Sequence, residues 1–142
     1  MSLFRNIFFA IIFGLLAGPG LIARAAAQDA PAPPGQQAAD LVRACQGQGR
    51  HHAEAVEKQW DTELFGRIDF VECTSYLAGI ADMNAVAKRV YGRGVFCFPR
   101  TGVSAEQQVR AFLRWAKAYP HLLDESRRSA AVSAFVEAWP CG

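Results

Sequence analysis

The sequence lacks the short motifs that mark the common enzyme and metal-binding classes. It contains no G-x-S-x-G, no H-E-x-x-H, no glycine-rich phosphate loop and no C-x-x-C pair. The first three are typical of serine hydrolases, zinc peptidases and nucleotide-binding proteins, and the fourth is typical of zinc sites and thiol redox centres. These absences make an enzyme the minority interpretation and predict no cofactor.

The sequence also has little net charge and no strand-like alternation. Fifteen basic residues face thirteen acidic ones, which gives a formal net charge of +2. A balance so close to neutral gives no electrostatic reason to expect nucleic acid or an anionic membrane surface as a partner. No segment alternates apolar and polar residues as a half-buried strand does, so the expected fold class is all-α.

The first residues are typical of a cleavable secretory signal. Arg5 precedes an uninterrupted apolar run from Ile7 to Leu16. This run is shorter than the roughly 20 apolar residues that a membrane-spanning helix needs. Ala25 and Ala27 satisfy the small-residue rule for cleavage, and we predict cleavage after Ala27. The product is expected in the periplasm or outside the cell, without membrane attachment.

Three regions follow from this cleavage site. Residues 1–27 form the predicted signal peptide, and the proline-rich residues 28–36 form a leader that is predicted to be disordered. Residues 37–142 have the size of one small domain.

Apolar residues recur at helical spacing through most of this domain. The strongest pattern runs from Phe70 to Val90, and it predicts a central helix that is capped by Asp69 and ended by Gly92. Gly79 lies inside this helix. We interpret it as a point of close packing against a neighbouring helix.

Shorter helices are predicted on both sides of the central one. A first amphipathic helix over residues 37–46 precedes segment 51–64, whose thin apolar stripe is compatible with a helix. Ser104 and Gln107 form a capping box at the start of a later helix, and a last helix spans about residues 124–138. The expected architecture is a small bundle of four to five helices.

The domain has four cysteines, an even number that predicts two disulfides in an exported chain. Cys73 lies near the start of the central helix and Cys97 just past its end, so their levels differ by roughly 27 Å and a bridge between them would stretch the connecting loop to its limit. If the last three helices alternate in direction, Cys141 ends beside Cys97. The predicted bridges are therefore Cys45–Cys73 and Cys97–Cys141.

One loop concentrates the residue types that dominate binding energy at protein interfaces. The residues are Tyr91, Arg93, Phe96, Phe98 and Arg100. Because aromatic and arginine side chains are enriched at binding hot spots, we interpret this loop as a partner-binding surface. The alternative is that Phe96 and Phe98 cover the Cys97 bridge and the helix ends.

Two other groups of polar residues carry structural interpretations. His51 and His52 are adjacent, so on a helix they point apart and do not share a metal ion, and no metal site is predicted. Asp82 lies on the central helix. We interpret it as an ion-pair partner of Lys88 or Arg89 and not as a catalytic carboxylate.

Four pieces of sequence occur in an order that is known from one family. They are Cys73 to Asp82, with Tyr76 and Gly79 inside; Cys97-Phe98-Pro99-Arg100-Thr101-Gly102; Tyr119-Pro120; and Trp139-Pro140-Cys141. This order resembles the Rap/Tai family, periplasmic immunity proteins that neutralise peptidoglycan amidase effectors delivered by type VI secretion systems.

The resemblance implies structural roles for seven residues of these motifs: Tyr76, Gly79, Asp82, Pro99, Gly102, Pro120 and Pro140. It also implies an inhibitor that covers the active site of a cell-wall amidase, with a homodimer as the active form. The alternative is a periplasmic stress or acid-chaperone-like protein without a toxin partner, which would expose apolar surface at low pH. Gene neighbourhood separates the two, since an immunity gene adjoins a toxin gene.

Overall fold

The computed structural model describes residues 32–142. The predicted signal peptide and the first residues of the predicted leader lie outside this range. The described residues form five α-helices and one short 3-10 turn: α1 (Ala38–Cys45), α2 (Arg50–Lys58), α3 (Thr62–Tyr91), α4 (Ala105–Ala118), the turn Pro120–Leu122, and α5 (Arg127–Ala138). None of these helices is long and apolar enough to cross a bilayer. The expected all-α bundle is confirmed for this part of the chain.

The core lies where α1, α4 and α5 pack against the middle of α3. Its largest fully buried apolar side chains come from each of these helices and from the loop after α3: Leu41, Leu77, Phe96, Phe112 and Phe135. Alanines at positions 130, 131 and 134 are also buried, and their small size lets α5 approach its neighbours closely.

Both predicted disulfides are confirmed. Cys45 is bonded to Cys73 with a Cα–Cα distance of 5.0 Å, and Cys97 is bonded to Cys141 with a Cα–Cα distance of 4.9 Å. The first bridge ties the end of α1 to α3 inside the core, where both sulfurs are buried. The second ties the loop after α3 to the C-terminus.

The central helix begins eight residues earlier than the sequence pattern predicts. Asp61 is its N-cap, because the Asp61 carboxylate accepts hydrogen bonds from the amides of Glu63 and Leu64 at 3.1 and 3.0 Å. Asp69 therefore lies inside α3, and its predicted role as the cap of this helix is wrong. The predicted end is confirmed, since Gly92 closes the helix in the left-handed conformation.

One expectation about packing is wrong, and one helix boundary shifts by three residues. Gly79 faces open space, with no atom within 4 Å of the position of a Cβ, so it is not a close-packing point between helices of the described chain. Helix α5 begins at Arg127 and not near residue 124, because Ser126 caps it by accepting from the amide of Ser129.

The chain just before α1 is attached to the domain. Gln36 accepts at its carbonyl a hydrogen bond from the amide of Arg127 at 2.9 Å, and the amide of Gly35 donates to Asp40 at 2.7 Å. The described end of the predicted leader thus runs beside the start of α5.

Candidate partner-binding surface

The loop between α3 and α4 is fixed to the end of α3 by one side chain. Asn84 donates from Nδ2 to the carbonyl of Phe96 at 2.9 Å and accepts at Oδ1 from the amide of Val95 at 2.7 Å. Gly94 is needed for this approach, because a Cβ atom there would lie 2.8 Å from the Asn84 oxygen. Two hydrogen bonds from one side chain therefore hold Val95 and Phe96 against the end of α3.

The second half of the loop is held by the C-terminus and by its own turn. The amide of Cys97 donates to the carbonyl of Trp139 at 2.9 Å, beside the bridge from Cys97 to Cys141. Gly102 then closes a turn by donating to the carbonyl of Pro99 at 2.9 Å, with a φ of 79° that glycine adopts without strain. The capping box of Ser104 follows, as the sequence predicts.

The two phenylalanines of this loop belong to the core. Phe96 is 1% exposed, and its ring centroid lies 5.1 Å from that of Phe98 and 5.2 Å from that of Phe135. Phe98 is half-buried and meets Trp139 edge-on at 4.8 Å. Phe96 offers no surface to a partner, so the alternative interpretation, that these rings cover the bridge and the helix ends, fits the structure.

The other three residues of the predicted surface face solvent. Tyr91 is 76% exposed, and Arg93 and Arg100 are also exposed. Val95, which the sequence interpretation omitted, lies between them and is 61% exposed. The loop thus presents an aromatic ring, an aliphatic side chain and two guanidinium groups on a backbone that is tied at both ends.

The residues of the family motifs occupy different environments. Tyr76 is half-buried beneath Arg127, whose guanidinium carbon lies 4.5 Å from the ring centroid. Pro120 begins the 3-10 turn, and Pro140 follows α5 at the surface. Asp82 is exposed, and within residues 32–142 it forms no ion pair, so its predicted pairing with Lys88 or Arg89 is not present.

A second polar site lies where the start of α2 meets α3, and sequence reasoning missed it. Asp69 has no exposed surface, and its two carboxylate oxygens accept from the amides of His51 and His52 at 3.1 and 2.8 Å. These amides belong to the first turn of α2, which has no capping side chain of its own. Gly49 is required there, since a Cβ atom would lie 2.7 Å from the Asp69 oxygen.

The same site holds the one trio of potential metal ligands in the described part of the chain. Ligand atoms of His51, Asp69 and Glu72 lie within 4.8 Å of one another. Asp69 already accepts two amide hydrogen bonds, and the guanidinium of Arg127 lies 3.6 Å from Glu72. The polar groups therefore satisfy one another as a helix cap with attached ion pairs, which is a structural role.

The fold and this surface define a small disulfide-bonded helical domain that presents one loop tied at both ends. Residues 37–141 match the family described as Rap1a immunity proteins, and the chain belongs to that family. It is therefore an immunity-type protein, and its family implies a protein partner, the effector. No curated protein matches the chain in a sequence search.

Proposed function

We propose that the chain is exported by its N-terminal signal and neutralises a peptidoglycan amidase effector in the periplasm by covering the effector's active site. Membership of the Rap1a immunity family supports an inhibitory role. Two disulfides support an oxidising compartment, since such bridges persist there and are rare in the cytosol. Inhibition of this kind needs contacts and no catalysis by the inhibitor.

The observation that carries the proposal is the tethered segment of residues 91–100, which comprises the last residue of α3 and the loop after it. Asn84 and the Cys97–Cys141 bridge fix its backbone, while Tyr91, Arg93 and Arg100 stay exposed. A preorganised loop loses little conformational entropy on binding, so more of its contact energy appears as affinity. Tyrosine and arginine are the side chains that most often supply that energy.

The test is the affinity for the amidase encoded beside the gene, measured by surface plasmon resonance. We expect Arg93→Ala and Arg100→Ala each to weaken binding by at least about fivefold, because hot-spot truncations cost more than 1 kcal/mol. Arg114→Ala is the matched control, since Arg114 is an exposed arginine on α4 outside the loop. Equal affinities for all four proteins would place the contact surface elsewhere.

We also propose that the active form is a homodimer, as the family resemblance implies. The loop of residues 91–100 then occurs twice in the assembly. This part of the proposal is tested by oligomeric state and does not require the effector.

A further inference from the structure

One exposed side of α3 carries large apolar side chains towards both ends of the helix. Six large apolar side chains on it are between 39% and 66% exposed: Leu64, Ile68, Val71, Met83, Val86 and Val90. A helix normally turns a stripe of this kind, roughly 100° wide, towards a core. The core side of α3 is already occupied, because Cys73 and Leu77 are buried on the opposite side of the helix. A second surface is therefore expected to cover the stripe.

The residues of this apolar stripe are placed symmetrically about Leu77. Each residue has a counterpart at the same sequence distance from Leu77 on its other side. The pairs are Leu64 and Val90 at thirteen residues, Ile68 and Val86 at nine residues, Val71 and Met83 at six residues, and Ser75 and Gly79 at two residues. In a twofold pair of antiparallel helices with the axis at Leu77, each of these residues faces its counterpart in the other protomer. Every large apolar side chain of the stripe then meets another one.

The centre of the stripe has the right shape for such a crossing. Ser75, Ala78 and Gly79 are small and exposed, and no atom lies within 4 Å of a Cβ at Gly79. Small residues at a crossing point let two helices approach closely, while the larger side chains on either side interlock. The open space at Gly79, which is unexplained within one chain, is filled by the second helix.

The charges beside the stripe are also complementary to a second copy. Asp82 is the one carboxylate in the middle of the exposed side, and it has no ion pair within the described residues. The same axis places it opposite Glu72, five residues from Leu77 on the other side, where Arg127 lies 3.6 Å from Glu72. Arg127 and Arg128 line the groove beside Gly79, and Arg128 forms no ion pair within the described residues, so a cation is available to the incoming carboxylate.

We propose that the occupant of this surface is a second copy of the chain, packed through an antiparallel α3–α3 contact about a twofold axis at Leu77. The inference rests on the homodimer proposed above and assigns its surface and register. It does not depend on the identity of the effector. The contact is isologous, so each protomer supplies the same stripe and the same cationic groove.

A charge-pair experiment tests both the surface and the register. Val71→Glu and Met83→Lys each place a charge against an apolar side chain of the partner, and we expect each to weaken the dimer by at least about tenfold in sedimentation equilibrium. The double variant places a carboxylate opposite an ammonium at two symmetric positions, and it should recover most of the lost affinity at low salt. The two changed positions are twelve residues apart in one helix, roughly 18 Å, so they cannot pair within a chain.

Val136→Glu is the control, because Val136 is an exposed valine whose neighbouring groove is lined by α4 and α5. A dimer that tolerates both single variants would overturn this surface while leaving the proposed homodimer intact. A double variant whose dimer affinity is as low as that of the single variants would overturn the register. A parent protein that stays monomeric at every concentration would overturn the dimer altogether, whereas effector binding by that monomer would leave the immunity proposal standing.

Discussion

Asp69 stabilises a helix other than its own. Its carboxylate is fully buried in α3, and both oxygens accept amide hydrogen bonds from the first turn of α2. The first amides of a helix have no partner within the helix, and a negative charge there also interacts favourably with the helix dipole. This single side chain therefore joins the start of α2 to the first half of α3.

Removal of this cap should be costly. We expect Asp69→Ala to lower the free energy of unfolding by about 2 to 4 kcal/mol, because two partly buried amides lose their acceptor and a cavity remains. Asp69→Asn retains one acceptor and should cost less. Urea unfolding measures both. Asp124→Asn is the control, at an exposed carboxylate, and should stay within about 0.5 kcal/mol of the parent. Equal stability of the parent and Asp69→Ala would contradict the capping role.

The loop between α3 and α4 contains both a core residue, Phe96, and the proposed contact residues Arg93 and Arg100. The ring of Phe96 is buried among Phe98 and Phe135, so we expect Phe96→Ala to cost about 3 to 5 kcal/mol of stability. Arg93→Ala and Arg100→Ala should each change stability by less than about 0.5 kcal/mol, since both side chains are exposed. Thermal unfolding of the three variants gives the comparison, and a stable Phe96→Ala variant would contradict the core assignment.

At the scale of the helices, local sequence signals predicted where helices occur, but they predicted poorly which contacts residues make with distant parts of the chain. The capping box at Ser104 and the glycine that ends α3 depend on neighbours in sequence, and both are confirmed. The role of Asp69 depends on a partner eighteen residues earlier, so its position before an apolar run suggested the wrong helix. The start of α3 was missed because Asp69 stands directly before the apolar run from Phe70, as a helix cap would, although the carboxylate that caps the helix is that of Asp61.

The bonds from Asn84 to the loop after α3 give a prediction at this scale. Asn84→Ala removes the acceptor of the Val95 amide and the donor to the Phe96 carbonyl, so hydrogen exchange at Val95 should become faster. Asn84→Asp keeps an acceptor, and Val95 should stay protected in that variant. NMR measures the hydrogen-exchange rate of the Val95 amide in both variants. Unchanged protection in Asn84→Ala would show that other contacts hold the loop.

At the scale of the whole molecule, the two disulfides differ in accessibility. Cys45 and Cys73 are both buried, whereas Cys141 is exposed and Cys97 is half-buried. The pairing was predictable because helix length keeps Cys73 and Cys97 apart and alternating helix directions bring Cys141 beside Cys97. The exposed apolar side of α3 was not predictable, since a helical repeat shows that a stripe exists and does not show which helix face the core already covers.

This difference in accessibility predicts the order of reduction. Under native conditions a small thiol reductant should cleave Cys97–Cys141 first, because the attacking thiolate must reach a sulfur atom. Brief reduction, alkylation and peptide mapping should therefore label Cys97 and Cys141 before Cys45 and Cys73. The opposite order would indicate that the core around α1 opens more readily than the structure implies.

Replacing either pair of cysteines with alanine should cost about 3 to 4 kcal/mol, since each bridge closes a loop of some tens of residues in the unfolded chain. Urea unfolding of the two double variants measures the loss. Stability unchanged by removal of the exposed pair would mean that the hydrogen bond from Cys97 to Trp139 and the aromatic cluster hold the C-terminus alone.

The most direct test of the account is inhibition of the amidase encoded beside the gene, measured as cleavage of purified peptidoglycan. Titration with the exported protein should abolish cleavage at a stoichiometric ratio, because a covering inhibitor blocks one active site per binding surface. Arg93→Ala and Arg100→Ala together should shift the titration to higher concentrations, and Arg114→Ala should not. Undiminished cleavage in the presence of a large excess of the parent protein would contradict the proposed function.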